Sequence, residues 1–159
     1  MEYTFRPATP IDLPTVNHVI EAAVMNWQLP ERVKRLSLSS YRYDAADLMH
    51  LTLWLAENDR GEAVAVAGWE PADTTDLPDG KLALLLHGLY VLPTLHGKGL
   101  GQRLLELTEH SAAKDGYDRV LVKAQTEAIS FFRHHDYQEL PIEDDVRHYS
   151  HRLWKNINC

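Results

Sequence analysis

The chain has 159 residues, of which 45% are hydrophobic and 25% charged, with a formal net charge of −7. That length and apolar content predict a single domain, residues 1–159, with a real core, and they exclude a collagen, a coiled coil or a largely disordered chain. The acidic balance argues against general nucleic-acid binding, which needs a basic face for phosphates. It suits an amine-bearing partner, although mild acidity also serves solubility alone.

One cysteine, Cys159, is present, so no internal disulfide forms and a reduced, intracellular setting is expected. The opening MEYTFRPATP lacks the basic and apolar regions of a signal peptide, and the longest apolar run, Leu82–Leu86, is far too short to span a bilayer. The expectation is a cytoplasmic protein with no membrane partner.

Tyr3-Thr4-Phe5 alternates as a short strand does. Thr9 can cap a helix whose first position takes Pro10, with Asp12 where a capping box puts its acid. Leu13, Val16, Ile20, Ala23 and Val24 continue at helical spacing, and Pro14 falls in the tolerant first turn. A second, amphipathic helix starts at Pro30, and Tyr41 to His50 reads as irregular or as another short helix. Leu51–Glu57 and Ala63–Trp69 read as strands, joined as a hairpin by Asn58-Asp59-Arg60-Gly61. The turn residues Pro78-Asp79-Gly80 precede a strand over Lys81–Val91. Leu100, Leu104, Leu107, Ser111 and Ala112 keep a helical period that Gly116 ends. Arg119–Lys123 is a buried-type strand, Thr126–His135 a helix capped by Thr126, and Tyr137–Leu140 and His148–Trp154 two last strands. This order predicts an α/β mixed sheet covered by helices. The strand, long helix and strand from Lys81 to Lys123 form a right-handed parallel crossover.

The long helix opens on three alternating glycines, Gly97, Gly99 and Gly101. A helix N-terminus carries unpaired N–H groups and partial positive charge, and glycine lets an anion approach them closely. A P-loop would need a lysine–hydroxyl pair after its glycines, and none stands there. A dinucleotide fingerprint would need a glycine where Gln102 stands. The pyrophosphate of coenzyme A is a third reading, and on the glycines alone a nucleotide-binding protein stays open.

Residues 89–101, LYVLPTLHGKGLG, resemble the cofactor signature of the GNAT superfamily of acyl-CoA-dependent N-acetyltransferases, Q/R-x-x-G-x-G/A after a strand ending in Val-x-Pro. Val91, Pro93, Gly99 and Gly101 match, and His96 replaces the usual glutamine or arginine. Residues 125–137, QTEAISFFRHHDY, are similar to the family's N-x-x-A-x-x-F-Y and following Gly-Phe pair. Ala128 and Phe131 match, Gln125 stands for the asparagine, Phe132 for the tyrosine and Asp136-Tyr137 for Gly-Phe. FRPATPIDLP is like the family's usual opening, so the likeness runs from Tyr3 to Lys155.

The resemblance implies a GNAT fold, with a mostly antiparallel sheet and one parallel crossover at the cofactor. It implies acetyl transfer from acetyl-CoA to a primary amine of a small molecule or peptide, by direct attack. Cofactor contacts are implied for Leu89, Tyr90 and Val91. They are implied also for His96, Gly97, Lys98, Gly99, Leu100, Gly101 and Gln102, and for Gln125, Phe131 and Phe132. The Val91 amide would polarise the thioester carbonyl.

On the central strand, where family members often carry a glutamate base, His87 is the side chain that titrates near neutral pH. The alternative is a core histidine satisfied by a backbone carbonyl. Gly88 beside it leaves room for a ligand or a bulge. The family's proton donor to the leaving thiolate is a tyrosine, and Phe132 has no proton to give. Tyr90, Tyr137, His135 or water could serve, or the chain is a silent CoA-binding module.

The acceptor region carries Trp27, Tyr41 and Tyr43, with Glu143, Asp144 and Asp145 in the loop between the last strands. These would attract a cationic amine, or are core aromatics and a solvated turn. His134-His135 and His148-x-x-His151 predict no metal site, because adjacent helical positions diverge and an odd strand offset changes face. Dimers are common in the family.

Overall fold

The structure is a computed structural model that describes residues 2–73, 81–124, 128–141 and 151–157. Seven strands are present: β1 Thr4–Pro7, β2 Thr52–Glu57, β3 Ala63–Pro71, β4 Ala83–Val91, β5 Arg119–Ala124, β6 Gln138–Glu139 and β7 His151–Asn156. Four helices accompany them: α1 Leu13–Met25, α2 Glu31–Tyr41, α3 Leu100–Lys114 and α4 Ile129–His134. The strands hydrogen-bond in the order β1-β2-β3-β4-β5-β7-β6. β4 and β5 are parallel, and the pairs β1–β2, β2–β3, β5–β7 and β6–β7 are antiparallel. The predicted element order and mixed sheet are therefore present. Tyr41 to His50 is irregular apart from a single 3-10 turn at Asp47–Met49.

The contacts divide the chain into two compact units, through both of which β3, β4 and α3 run. The first comprises Met1–Trp69 and Gly88–Leu107. Its core is the apolar face of α1 (Val16, Val19, Ile20 and Val24) with Leu53, Leu55 and Val66 of the β2–β3 hairpin and Tyr43 and Tyr90. The hairpin turn closes because the Asn58 side-chain oxygen accepts from the amides of Arg60 and Glu62, and Gly61 takes φ +76°. Lys34 of α2 is buried, and its Nζ donates to the carbonyls of Met25 (2.7 Å) and Trp27 (3.2 Å). A cation there satisfies carbonyls that the end of α1 leaves without helical partners.

The second unit comprises Glu70–His87 and Thr108–Cys159. Here β5 is buried at five of its six positions, as befits a strand covered on both faces. The Arg119 guanidinium lies 3.7 Å from the Trp154 ring centroid and donates to Asn156 at 2.6 Å. Gly116, at φ +83°, ends α3 as expected. Asp136 also adopts the left-handed region, at φ +72°, where the family pattern has glycine. Short acidic side chains tolerate that region better than branched ones.

The start of α1 follows the predicted capping box, with a 3-10 turn over Pro10–Asp12. Asp12 Oδ2 accepts from the Thr9 amide at 2.8 Å. Both Asp12 oxygens also take an Arg6 Nη donor, each at 2.8 Å, and Arg6 Nε reaches Glu57 at 3.1 Å. The Arg6 hydrogen bonds, helped by Thr9, hold the Asp12 carboxyl well below the usual carboxylate range against the opposing effect of burial. Such a depressed acid stabilises the fold above its unfolded pKa, near ~4, and that contribution is lost as pH falls below it. Asp12→Asn should cost about 1 kcal/mol at neutral pH. It should also flatten the loss of stability between about pH 5 and about pH 2. Acid titrations of urea-unfolding midpoints check this, and parallel curves for the two proteins would overturn it.

Candidate functional site

β4 leads into the glycine stretch through a 3-10 turn at Pro93–Leu95, closed by Leu95 N to Leu92 O at 2.9 Å. Gly97 and Gly99 then take φ +79° and +82°, a region that L side chains rarely enter. A Cβ built on either glycine has no neighbouring atom within 4 Å, so both face open space. The first helical bond of α3 is Arg103 N to Gly99 O, 3.0 Å. Among the described residues, none of the amides from Gly97 to Gln102 donates to another backbone carbonyl. These amides stand at the start of α3, where the helix dipole is positive. His96 stands just before these glycines. Its Nε2 lies 3.3 Å from the Val91 carbonyl oxygen, so its ring fastens the loop to the end of β4.

A depression of about 330 Å³ opens beside the first turn of α3. It is lined by Lys98, Gly99, Leu100, Gln102, Arg103 and Glu106 of this segment and by Tyr3 and Phe5 of the N-terminal segment. Arg103 lies over the Phe5 ring, 5.4 Å from its centroid. Tyr3, Phe5 and Arg103 were not legible as site residues in the sequence, because they meet only through tertiary packing.

On β4, the parallel ladder with β5 runs from Ala83↔Arg119 to Leu86↔Val122 and ends there among the described residues. His87 is exposed, which overturns the alternative of a core histidine. Gly88 does not leave room for a ligand. A Cβ there would lie 2.5 Å from Tyr90 Cε2 and 3.0 Å from the Tyr43 hydroxyl, so two tyrosines already fill the space. Gly68 likewise admits the Tyr43 hydroxyl, 2.8 Å from its built Cβ. Tyr90 is buried, which pushes its phenol well above the usual tyrosine range, with Tyr43 and Tyr41 nearby adding to the effect. Leu89 and Val91 flank it and are half-buried.

Trp27, Tyr41 and Tyr43, named together for the acceptor region, lie with Tyr90 in and against one core. Trp27 meets Tyr41 edge-on at 5.3 Å, and Tyr41 meets Tyr90 at 6.4 Å. Tyr43 is buried in the core, whereas Trp27 and Tyr41 pack against it from a half-buried position. Gln125, Thr126, Glu143, Asp144, Asp145, His148 and Cys159 lie outside the described residues. The rings of His134 and His135 do not diverge: their centroids are 5.2 Å apart, because α4 ends at His134. Among the described residues no group of three metal-ligating side chains exists, and no helix is long and apolar enough to cross a membrane.

Residues 50–139, more than half of the chain, match the family model described as an acetyltransferase (GNAT) domain. The chain belongs to the GNAT acetyltransferase family. It is accordingly an acyltransferase. A PaiA N-acetyltransferase from Thermoplasma acidophilum, in complex with coenzyme A, superposes with a TM-score of 0.80 at 13% identity, over 98% of this chain and 99% of that one. An acetyltransferase of the GNAT family from Staphylococcus aureus Mu50 gives 0.72 at 15% identity, over 99% and 100%. A GCN5-related N-acetyltransferase from Rhodopseudomonas palustris gives 0.74 at 20% identity, over 98% and 96%. No curated protein matches.

In this acetyltransferase Phe132 of α4 is buried, with its ring 5.2 Å from Phe131 and 5.5 Å from Tyr137. That is core packing. Tyr137 offers no ready proton either. Its hydroxyl donates to Glu109 at 2.9 Å, and burial first, then the Glu109 charge, raise it far above the usual tyrosine range. His135 packs against Phe131 at 4.7 Å. The tyrosine packing over Gly88 gives a sharp test. Gly88→Ala should cost about 1–3 kcal/mol in urea unfolding, as overpacking of a filled core does. The penalty should largely vanish in a Tyr90→Ala background. Equal penalties in both backgrounds would place the strain elsewhere.

Proposed function

We propose that the protein transfers the acetyl group of acetyl-CoA to a primary amine, by direct attack of the amine. The observation that carries this reading is the cradle: Gly97 and Gly99 at positive φ, open space at their missing Cβ atoms, and a run of unengaged amides at the start of α3. These features fit a pyrophosphate. The amides of Lys98, Gly99, Leu100, Gly101 and Gln102 would hold it, with Lys98 adding charge. Bound acetyl-CoA would supply an activated acyl group, so that a C–N bond forms as the C–S bond breaks and the thiolate leaves.

The remaining roles belong to β4 and α4. Backbone groups of Leu89, Tyr90 and Val91 continue β4 beyond its ladder with β5 and would hold the pantetheine arm, the Val91 amide facing the carbonyl oxygen. His87, exposed on β4, would accept the proton that the attacking amine must lose. With no hydroxyl at Phe132 and the Tyr137 proton held by Glu109, solvent water would protonate the thiolate. Trp27 and Tyr41 would line the approach of the acceptor amine.

Thermal unfolding with acetyl-CoA, ATP and NAD tests the cofactor. Acetyl-CoA at ~100 times its Kd should add about 2.7 kcal/mol, a shift of several degrees, and the controls should add nothing. A shift with ATP or NAD alone would overturn the assignment. Gly99→Glu, which strains the backbone and sets a carboxylate in the cradle, should lower CoA affinity by more than about tenfold. His87→Ala should lower turnover on an amine acceptor far more than CoA affinity and should remove the acid limb of the pH–rate profile. An unchanged profile would dismiss His87 as the base.

A further inference from the structure

We propose that the acceptor is a monoamine with an aromatic or otherwise apolar body, and that the buried ammonium of Lys34 turns away amines carrying a second charge. This names the acceptor within the acetyl-transfer reading above and rests on it. Three rings run as a ladder through the first unit. Trp27 meets Tyr41 at 5.3 Å and Tyr41 meets Tyr90 at 6.4 Å, both edge-on. Trp27 and Tyr41 are half-buried and Tyr90 is buried, so the ladder leads inward. Its inner end is fixed by the chain itself, because Tyr90 directly precedes Val91, whose amide that reading sets against the thioester carbonyl. An amine attacking there leaves its body along Tyr41 and Trp27. Such rings hold an apolar or aromatic body by burial and ring contact.

The outer end of the ladder is positive. Lys34, Leu38 and Tyr41 recur at i, i+4 and i+7, so they share one face of α2. Lys34 is 7% exposed, and its Nζ donates to the carbonyls of Met25 and Trp27, the latter at 3.2 Å. Carbonyl dipoles solvate the ammonium and leave its charge in place. The Glu31 carboxylate stands 3.7 Å away, beyond hydrogen-bonding distance, on a side chain 67% exposed, so water screens most of its effect. A diamine lying along the rings would bring its far ammonium toward this buried cation, where repulsion is stronger than in water. An uncharged body meets no such penalty. Specificity of this kind comes from the repulsion of the wrong ligand as much as from attraction of the right one. Through Trp27, Lys34 is also a positioning residue, because it ties the backbone of that ring to the face of α2 that carries Tyr41.

Phenylethylamine and diaminobutane are the probes, each measured by acetyl transfer from acetyl-CoA and by titration calorimetry into CoA-saturated protein. The wild-type protein should favour phenylethylamine by about tenfold or more in both measurements. Lys34→Met, of similar length and uncharged, should shrink that preference by admitting diaminobutane, and Lys34→Arg should restore it. Trp27→Leu should weaken phenylethylamine about tenfold and leave diaminobutane within about twofold of wild type. Equal use of the two amines by the wild-type protein, or a preference for diaminobutane, overturns the proposal. So does equal weakening of both amines in Lys34→Met, since Lys34 would then serve the fold alone, and so does unchanged phenylethylamine binding in Trp27→Leu. A protein that binds CoA but neither amine overturns the proposal and leaves the cofactor assignment standing. Failure to bind CoA overturns the reading on which the proposal rests.

Discussion

A helix cannot satisfy its own first amides, and α3 begins by leaving that need open rather than capping it. Many helix starts meet the demand with a side chain, and the 3-10 turn ahead of α1 carries such a capping box, in which Asp12 accepts from the Thr9 amide. At α3 no Ser, Thr, Asp or Asn stands in the capping positions; glycines stand there instead. The rest of the local structure keeps the amides available. Pro93 turns the chain off β4, His96 lies against the Val91 carbonyl, and Leu100, Leu104 and Leu105 are buried so that the helix is held from its first turn onward. Unengaged donors at a helix start are costly for stability, and they are the groups that the proposed cofactor would engage.

The same trade of stability for space appears in the tyrosines. Gly68 and Gly88 sit on neighbouring strands, where glycine weakens a sheet. What they give in return is room for the Tyr43 hydroxyl and the Tyr90 ring inside a closed core. In the second unit, Glu109 gathers the Tyr137 hydroxyl and the Lys155 ammonium, the latter at 3.1 Å. That network ties α3 to the segment after α4 and to β7. It also takes Tyr137 out of the proton chemistry that its position next to Phe132 would suggest.

Local signals in the sequence carried most of the elements. Thr9 and Asp12, the Asn58–Gly61 turn and the stop at Gly116 each depend on residues within a few positions of one another, and each is present. The cradle was legible for the same reason, since helix start and glycines are contiguous. What stayed hidden depends on distant partners. Gly88 reads as room for a ligand until Tyr43, brought from the far side of α2, is seen to occupy it. Arg103 reads as one more polar residue of a helix until Phe5 lies beneath it. His87 could not be placed inside or outside from a strand of nearly unbroken apolar residues, because such a run does not disclose which face is covered. Asp136 takes a backbone conformation normally signalled by glycine, which the sequence does not mark at that position even though the helix end near His135 was legible.

A division of labour between backbone and side chains explains how a relative only 13% identical can share this fold at a TM-score of 0.80. A cradle of amides is supplied by any residue able to adopt the required φ, so only the glycines are constrained and the side chains around them drift. His96 in place of glutamine or arginine costs little on this view, because its ring serves the loop and not the anion. Side chains such as Arg103 and Phe5 are free of that constraint and can differ from one acetyltransferase to the next. On the proposed cofactor reading the amides would hold the anion, and the side chains around them are free to vary without disturbing that hold.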